Sequence, residues 1–163
     1  MTTLRAEPLT AAAFRRYGRV IEMPRDDAQA RGPGWRWWAE IALLEGDGRR
    51  WGVGYLDLEP AVPRFDWAER HLRSAEAVIA TSADVLVYVG APGDDGGLPA
   101  LRDFRVFVVP AGDGVVLDPG VWHGAPLAVR RPTSALVLLL EHTGRDDVTV
   151  ERFDTPVDVE VPS

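Results

Sequence analysis

Short apolar runs separated by turn residues dominate the chain and predict an all-β protein. From Trp51 onward the runs recur at intervals of about 8–12 residues, with Gly, Pro and Asp between them. Short strands at such regular spacing are typical of a sandwich or barrel. The predicted strands are 35–44, 51–58, 65–71, 75–80, 84–90, 105–109, 114–117, 127–130, 135–142 and 148–153.

One helix is predicted near the N-terminus, over residues 8–18. Thr10 is a suitable N-cap, three alanines follow it, and Gly18 is a suitable stop. A single helical turn is predicted at 98–103. We expect one domain over residues 1–163, with an ordered core from about residue 5 to about residue 154 and a proline-containing C-terminal tail at 155–163.

The composition narrows the class of function. The net charge of −7 argues against nucleic acid as a partner, because phosphate binding needs a cationic face. The sequence has no cysteine and no lysine, which excludes disulfides, thiolate ligands and Schiff-base catalysis. No apolar run is long enough to span a membrane, and the N-terminus lacks the pattern of a signal peptide. We therefore expect a cytoplasmic protein without a membrane partner.

A Pro-Gly pair introduces the first candidate for chemistry. Pro119-Gly120 follows an apolar run that begins at Gly114, and it favours a tight reversal. Three residues later, His123 follows Trp122, so the turn is expected to hold both side chains at the mouth of a barrel. His123 is a candidate catalytic residue or metal ligand.

A second candidate group lies between Glu69 and Glu76. On a strand, Glu69 and His71 share a face, and Glu76 on the following strand is expected to point back towards them. Together with His123, His71 and Glu76 supply two imidazoles and one carboxylate, a set suited to a divalent first-row metal such as Ni, Zn, Mn or Fe. Glu69 is a candidate fourth ligand or general base. Alternatively, the charges around Glu69 are a solvated surface cluster.

Other side chains are candidates for contact with a small carboxylate substrate. Arg70 and Arg73 can each form a forked pair with a carboxylate, while Trp122 and Tyr88 can line a pocket. No serine has a nearby His–Asp pattern, so a serine triad is not supported. No glycine-rich phosphate-binding motif is present.

Two of these stretches resemble the conserved motifs of the cupins. Gly114-x4-Pro119-Gly120-x2-His123 is similar to the second cupin motif, G-x5-P-x-G-x2-H, with one residue fewer before the Pro-Gly pair. Glu69-x-His71-x4-Glu76 is similar to the first, H-x-H-x3,4-E, with glutamate at the first histidine. The resemblance implies a cupin-type double-stranded β-helix, or jelly-roll, barrel.

A wider resemblance covers most of the chain and points to the ureidoglycolate lyase family within the cupin superfamily. It is carried by Pro8-Leu-Thr with Phe14, Tyr17-Gly18-Arg-Val-Ile21, Glu69-Arg70-His71 with Ser74, Val85 to Pro92, Leu101-Arg-Asp-Phe104, and Gly114-Val115 through Trp122-His123 to Pro126-Leu127.

The family resemblance implies a homodimeric enzyme of allantoin breakdown that splits ureidoglycolate into glyoxylate and urea. The chain departs from the family at Glu76, where glutamine is usual, and at Val116, where asparagine is usual. A carboxylate at position 76 favours metal binding more than an amide does. A metal-dependent cupin isomerase, cyclase or oxygenase, and a non-catalytic cupin that binds a small ligand, remain alternatives.

Overall fold

The computed structural model of the chain describes residues 2–21, 30–32, 35–37, 50–93 and 96–162. Helical structure in these ranges is limited to α1 (Ala11–Phe14), α2 (Thr143–Asp146) and a 3₁₀ turn (Leu101–Asp103). The strands are β1 (Thr3–Pro8), β2 (Gly18–Ile21), β3 (Ala30–Gly32), β4 (Trp35–Trp37), β5 (Trp51–Leu58), β6 (Arg64–Arg70), β7 (Glu76–Ala80), β8 (Val85–Gly90), β9 (Arg105–Val109), β10 (Gly114–Leu117), β11 (Trp122–His123), β12 (Leu127–Ala128), β13 (Thr133–Leu140) and β14 (Thr149–Glu160).

The strand pairings close into a barrel and confirm the predicted all-β fold class. One sheet has the order β11-β6-β14-β1-β9-β8-β12, and β11 also pairs with β8. Because β11 joins both β6 and β8, six of these strands form a closed ring without a free edge between them. A second sheet, in the order β2-β10-β7-β13-β5, packs against this ring.

Two apolar cores lie on opposite faces of the same strands. The ring core contains residues from each of the six ring strands, among them Phe65, Leu86 and Trp122. The inter-sheet core lies between the ring and the second sheet and includes Val87 and Val115. Strand β8 serves both cores, because its successive side chains alternate between its two faces. All six of its residues are buried, as its continuous apolar run predicts.

The N-terminal helix is shorter than the sequence predicts. Thr10 is its N-cap, and its side-chain oxygen accepts a hydrogen bond of 3.2 Å from the amide of Ala13. Helix α1 ends at Phe14, and Gly18 opens β2 instead of terminating the helix. A Cβ atom at Gly18 would collide with the carbonyl of Val116 on β10, so this close pairing of strands requires glycine.

The prediction of a tail from residue 155 is wrong. Strand β14 continues to Glu160, where it pairs with the unpredicted strand β1 in parallel. The register of β14 against β6 shifts between Arg152 and Val157, and Pro156 lies within this irregular stretch. A proline is tolerated there because an irregular stretch does not require every amide to donate to a ladder. The ordered structure therefore extends beyond both predicted limits.

Some other predicted boundaries also changed. The strand predicted at 35–44 is observed as β4 over Trp35–Trp37, and the rest of it lies outside the described residues. Strand β6 ends at Arg70, so His71 follows the strand. The short strand β11 was not predicted. Among the described residues, none forms a helix of the length and apolar character needed to cross a bilayer.

Candidate active site

Three short segments bring the predicted histidines and carboxylates together. Glu69, near the end of β6, is the register partner of His123 on β11. His71 follows β6 directly, and Glu76 is the first residue of β7. The sequence prediction that Glu76 points back towards His71 is confirmed by a distance of 3.3 Å between Glu76 Oε2 and His71 Nε2.

His123 and Glu76 lie on the strand faces that are directed towards the inter-sheet core. His123 pairs with Val89 on β8, and Glu76 pairs with Leu117 on β10; both partners belong to that core. Directly opposed residues of an antiparallel pair share a face, so His123 and Glu76 approach each other from the two sheets. This is the physical reason why residues 47 positions apart in the sequence, from 76 to 123, form one site.

Glu76 bridges the two imidazoles. Its Oε2 lies 3.3 Å from Nε2 of His71 and 3.4 Å from Nε2 of His123. The two rings lie 5.3 Å apart at an angle of 64°. His71, His123 and Glu76 are all buried, so their interactions are screened little by water.

The backbone fixes the orientation of both rings. Nδ1 of His71 lies 2.8 Å from the carbonyl oxygen of Asp147, and Nδ1 of His123 lies 2.9 Å from that of Val121. Because a carbonyl oxygen can only accept, each Nδ1 carries a proton. If both rings were neutral, their Nε2 lone pairs would face the lone pairs of the Glu76 carboxylate. The arrangement therefore requires a further proton or a cation between them.

The pKa values show where that proton resides when no metal is bound. Burial tends to raise the pKa of Glu76, but the charges of His123 and His71 and their hydrogen bonds outweigh it and lower the pKa to about 2. Burial tends to lower the pKa of His123, but the negative charge of Glu76 outweighs it and raises the pKa above its ordinary value. An ionised Glu76 beside a protonated His123 is the favoured state.

The same residues can also hold a metal ion. Ligand atoms of Glu69, His71 and His123 all lie within 4.8 Å of one another. Within the described part of the chain, Nε2 of His123 makes no well-aligned hydrogen bond although it is buried. Two Nε2 atoms whose Nδ1 atoms donate to carbonyls are arranged as in metal-binding histidines. The group with this spacing contains Glu69, the predicted fourth ligand, instead of Glu76, whose Oε2 lies beside both Nε2 atoms. Two imidazoles and a carboxylate fit a divalent cation.

Three of the predicted substrate contacts lie on the other side of β8 and β11. Tyr88 and Trp122 belong to the ring core, and each is at most 2% exposed. The Tyr88 hydroxyl donates to the carbonyl of Trp67 at 3.0 Å. The guanidinium of Arg70 stacks on Trp122, 4.7 Å from its ring centroid, and donates to the carbonyl of Gly96. The structure does not bring these side chains to the histidines.

Arg73 lies closer to the histidine group but already has partners. Its Nη2 donates to the carbonyl of Asp146 at 2.6 Å, and its Nε lies 3.6 Å from the carboxylate of Asp147. Its side chain is 49% exposed. A role for Arg73 in substrate binding stays a prediction.

Sequence reasoning missed the groups that hold His71 in place. The amide of Gly120, in the predicted Pro-Gly turn, donates to the carbonyl of His71 at 2.6 Å. On its other side, His71 contacts Asp147, a residue 76 positions away. Main-chain contacts have no signature in side-chain type, so the sequence offered no signal for either contact.

A separate cleft of about 500 Å³ lies at the far end of β8 from His123. Leu86, Val108 and Val129 line it, and Arg130 and Arg131 also contribute. None of the histidine-site residues lines this cleft. The cleft is thus separate from the group formed by Glu69, His71, Glu76 and His123.

Comparisons with known proteins agree with the resemblance seen in the sequence. The pattern of the ureidoglycolate lyase family matches residues 1–160. Ureidoglycolate lyases of Escherichia coli O1:K1 / APEC and of Escherichia coli O139:H28 (strain E24377A / ETEC) are each 32% identical over 154 residues, which cover 91% of this chain and 92% of theirs. A solved structure of a dTDP sugar isomerase from Desulfovibrio desulfuricans G20 has a TM-score of 0.49 and 16% identity, and covers 85% of each chain.

Proposed function

The chain belongs to the ureidoglycolate lyase family, and we propose that it splits ureidoglycolate into glyoxylate and urea. One observation supports this most directly. Glu69, His71 and His123, which carry the family resemblance, meet at one site, where Glu76 lies between the two imidazoles. Such a group can move a proton between two atoms of a bound substrate.

The reaction needs a base and an acid but no oxidant. The hydroxyl group of ureidoglycolate loses its proton, and its oxygen forms the carbonyl of glyoxylate as the C–N bond breaks. The electron pair of that bond goes to the ureido nitrogen, which takes up a proton and leaves as urea. One proton is therefore removed from oxygen and one is delivered to nitrogen, so the protein ends in its starting charge state after one internal proton transfer.

His123 is suited to be the acid. The carboxylate of Glu76 raises its pKa, so the buried ring keeps its proton to a higher pH than an ordinary histidine does. Glu76 is unsuited to be the base, because its pKa of about 2 makes it a weak proton acceptor. Glu69, opposite His123 in the β6–β11 pair, is the base in this proposal. Its position lets one carboxylate accept the proton while the neighbouring imidazolium donates another.

A metal ion would be held by Glu69, His71 and His123, with Glu76 beside them. When bound, a divalent ion supplies a Lewis acid that lowers the pKa of a substrate hydroxyl. Metal binding competes with protons for the two Nε2 atoms, since an imidazole must be neutral to act as a ligand.

The test compares the wild-type chain with variants at two histidines. His123→Asn should lower kcat for glyoxylate and urea formation about 10²–10⁴-fold, the range expected for loss of a proton-transfer group. His142→Asn is the control: His142 is exposed and has a φ of 66°, a conformation that asparagine tolerates. Its kcat should stay within about twofold. A wild-type chain that binds ureidoglycolate but forms no glyoxylate would overturn the proposal.

Element analysis separates the metal-dependent from the metal-free form of the reaction. Metal that co-purifies with the wild-type chain and is lost from Glu69→Gln and His71→Asn supports the metal site. Full turnover in the presence of a strong chelator, with no bound metal, would show that the residues act by proton transfer alone.

The homodimer is proposed from the family resemblance, and the cytoplasmic location is proposed from the cysteine-free composition. Light scattering of the purified chain tests the first, because a dimer has twice the mass of 17.9 kDa. Fractionation of cells that express the chain tests the second.

A further inference from the structure

The turn that carries His71 depends on contacts from outside its own sheet. Strand β6 ends at Arg70, and β7 begins only at Glu76, so residues 71–75 have no strand ladder to hold them. Two consecutive amides of this turn donate to one carboxylate: Leu72 N to Asp147 Oδ1 at 3.0 Å and Arg73 N to Asp147 Oδ2 at 2.8 Å. Each carboxylate oxygen thus anchors one peptide group of the turn.

The backbone of the same residue holds the imidazole. The Asp147 carbonyl oxygen accepts from Nδ1 of His71 at 2.8 Å. This contact places the proton on Nδ1 and leaves Nε2 facing Glu76, 3.3 Å away. Asp147 therefore contacts the 71–73 turn through its carboxylate and the His71 ring through its carbonyl.

Asp147 is itself held firmly. Its amide donates to the carbonyl of Thr143 at 2.9 Å, at the end of α2. Its side chain is only 7% exposed. A second contact joins the 71–73 turn to this end of α2, because Arg73 Nη2 donates to the carbonyl of Asp146. Because the Asp147 carboxylate is held by these contacts, it can fix the conformation of the 71–73 turn that binds to it.

We propose that Asp147 is a positioning residue for the reaction: its carboxylate fixes the 71–73 turn, and its carbonyl sets the tautomer and orientation of His71. Asp147 acts through His71 and does not touch the substrate. The expected change in kcat rests on the lyase function proposed above. The contacts of Asp147 with His71 and its turn can be tested without substrate.

The first experiment needs no substitution and no turnover. In the metal-free wild-type chain with ¹⁵N-labelled histidine, NMR should show a slowly exchanging proton on Nδ1 of His71. A His71 ring that carries its proton on Nε2 alone, with no proton on Nδ1, would overturn the proposal. This result is independent of whether ureidoglycolate is the substrate.

The second experiment uses Asp147→Asn with Asp146→Asn as its matched control. An asparagine has the same shape, but its amide nitrogen cannot accept from the backbone N–H of Leu72 or Arg73. Asp146 is the adjacent, exposed residue, and its carboxylate pairs with Arg145 at 2.8 Å. We expect Asp147→Asn to lower kcat about 10–100-fold with a smaller change in KM, and to shift or broaden the His71 Nδ1–H signal. Asp146→Asn should leave kcat within about twofold and the signal unchanged.

The outcomes separate positioning from a general loss of structure. Asp147→Glu keeps both acceptor oxygens, so it should recover part of the kcat that Asp147→Asn loses. If Asp147→Asn keeps wild-type kcat and the wild-type His71 signal, Asp147 has no positioning role. A lower kcat with an unchanged His71 signal would also overturn the proposal, because the effect would not pass through His71. If Asp147→Asn does not fold, Asp147→Glu and the wild-type spectrum decide the matter.

Discussion

At the residue scale, the charge balance of the site depends on Glu76. Both imidazoles have their Nδ1 atoms committed to carbonyls, and both Nε2 atoms face one oxygen of this carboxylate. The sequence marked Glu76 as a departure from the family, and the structure places that departure in the centre of the site. The second departure, Val116, pairs with Ala77 and lies in a separate buried cluster with it, on the face away from Glu76. Because successive side chains of a strand point to opposite faces, Val116 faces away from the site and only Glu76 lies in it.

Glu76→Gln should destabilise the metal-free chain in a pH-dependent way. Removing one partner of a buried charged pair costs about 3 kcal/mol. The folded-state pKa of Glu76 lies below its ordinary value of 4.5, so its contribution is present above that pH and is lost as the pH falls towards about 2. The pKa of His123 lies above its ordinary value of 6.5, so its contribution is present below 6.5 and fades as the pH rises through the raised value.

Urea unfolding of both chains at a series of pH values measures this difference. The free energy of unfolding should differ most between about pH 4.5 and 6.5 and should converge in strong acid. Glu151→Gln, at an exposed position of β14, should change the free energy of unfolding by less than about 0.5 kcal/mol. A constant difference at every pH would contradict this account.

At the element scale, local pattern predicted the strands that carry a strong local signal. The bounds of β10 and β5 match the prediction, since each apolar run is closed by turn residues. Strand β1 has charged residues between its apolar ones. It is a strand because it pairs in parallel with β9 and β14. That pairing joins residues more than 90 positions apart, so no local window contains it. The two residues of β11 are too few for any periodicity, and only their register with β6 and β8 makes them a strand.

Two valines of β14 test whether the supposed tail is a structural strand. Val157 is fully buried in the ring core, whereas Val150 on the same strand is 48% exposed. Val157→Ala should lower the free energy of unfolding by about 2 kcal/mol, because it removes buried methyl groups and leaves a cavity. Val150→Ala should change it by less than about 0.5 kcal/mol. Equal effects in chemical denaturation would argue that 155–160 is not packed as described.

At the scale of the whole molecule, β8 and β9 are the common wall of two cores. Val87 and Phe107 face the inter-sheet core, while Leu86 and Val106 face the ring core. Loss of packing in either core would displace β8 and β9. That displacement would disrupt the other core as well. The sequence predicted a barrel from strand number and spacing, but not the ring core, which depends on closure of the ring by β11.

Unfolding should therefore be a single transition for both cores. Far-UV and near-UV circular dichroism should give coincident curves in urea for the wild-type chain. Leu86→Ala, in the ring core, and Val87→Ala, in the inter-sheet core, should each shift both curves together. Separate midpoints for the two signals in either variant would show that the cores unfold independently.

The main-chain anchors of the two histidines have a consequence for how this protein can change over generations. The oxygen that orients His123 belongs to the backbone of Val121, and the amide that holds the His71 carbonyl belongs to Gly120. A substitution that replaces the Val121 side chain while preserving its backbone keeps the same oxygen in the same place. The two anchors nevertheless constrain the loop, because Gly120 has a φ of 88° and Val121 is buried in the inter-sheet core. Since the oxygen and the amide that hold the rings belong to the backbone, an exchange of carboxylate for amide at position 76 changes the chemistry of the site without requiring a new scaffold.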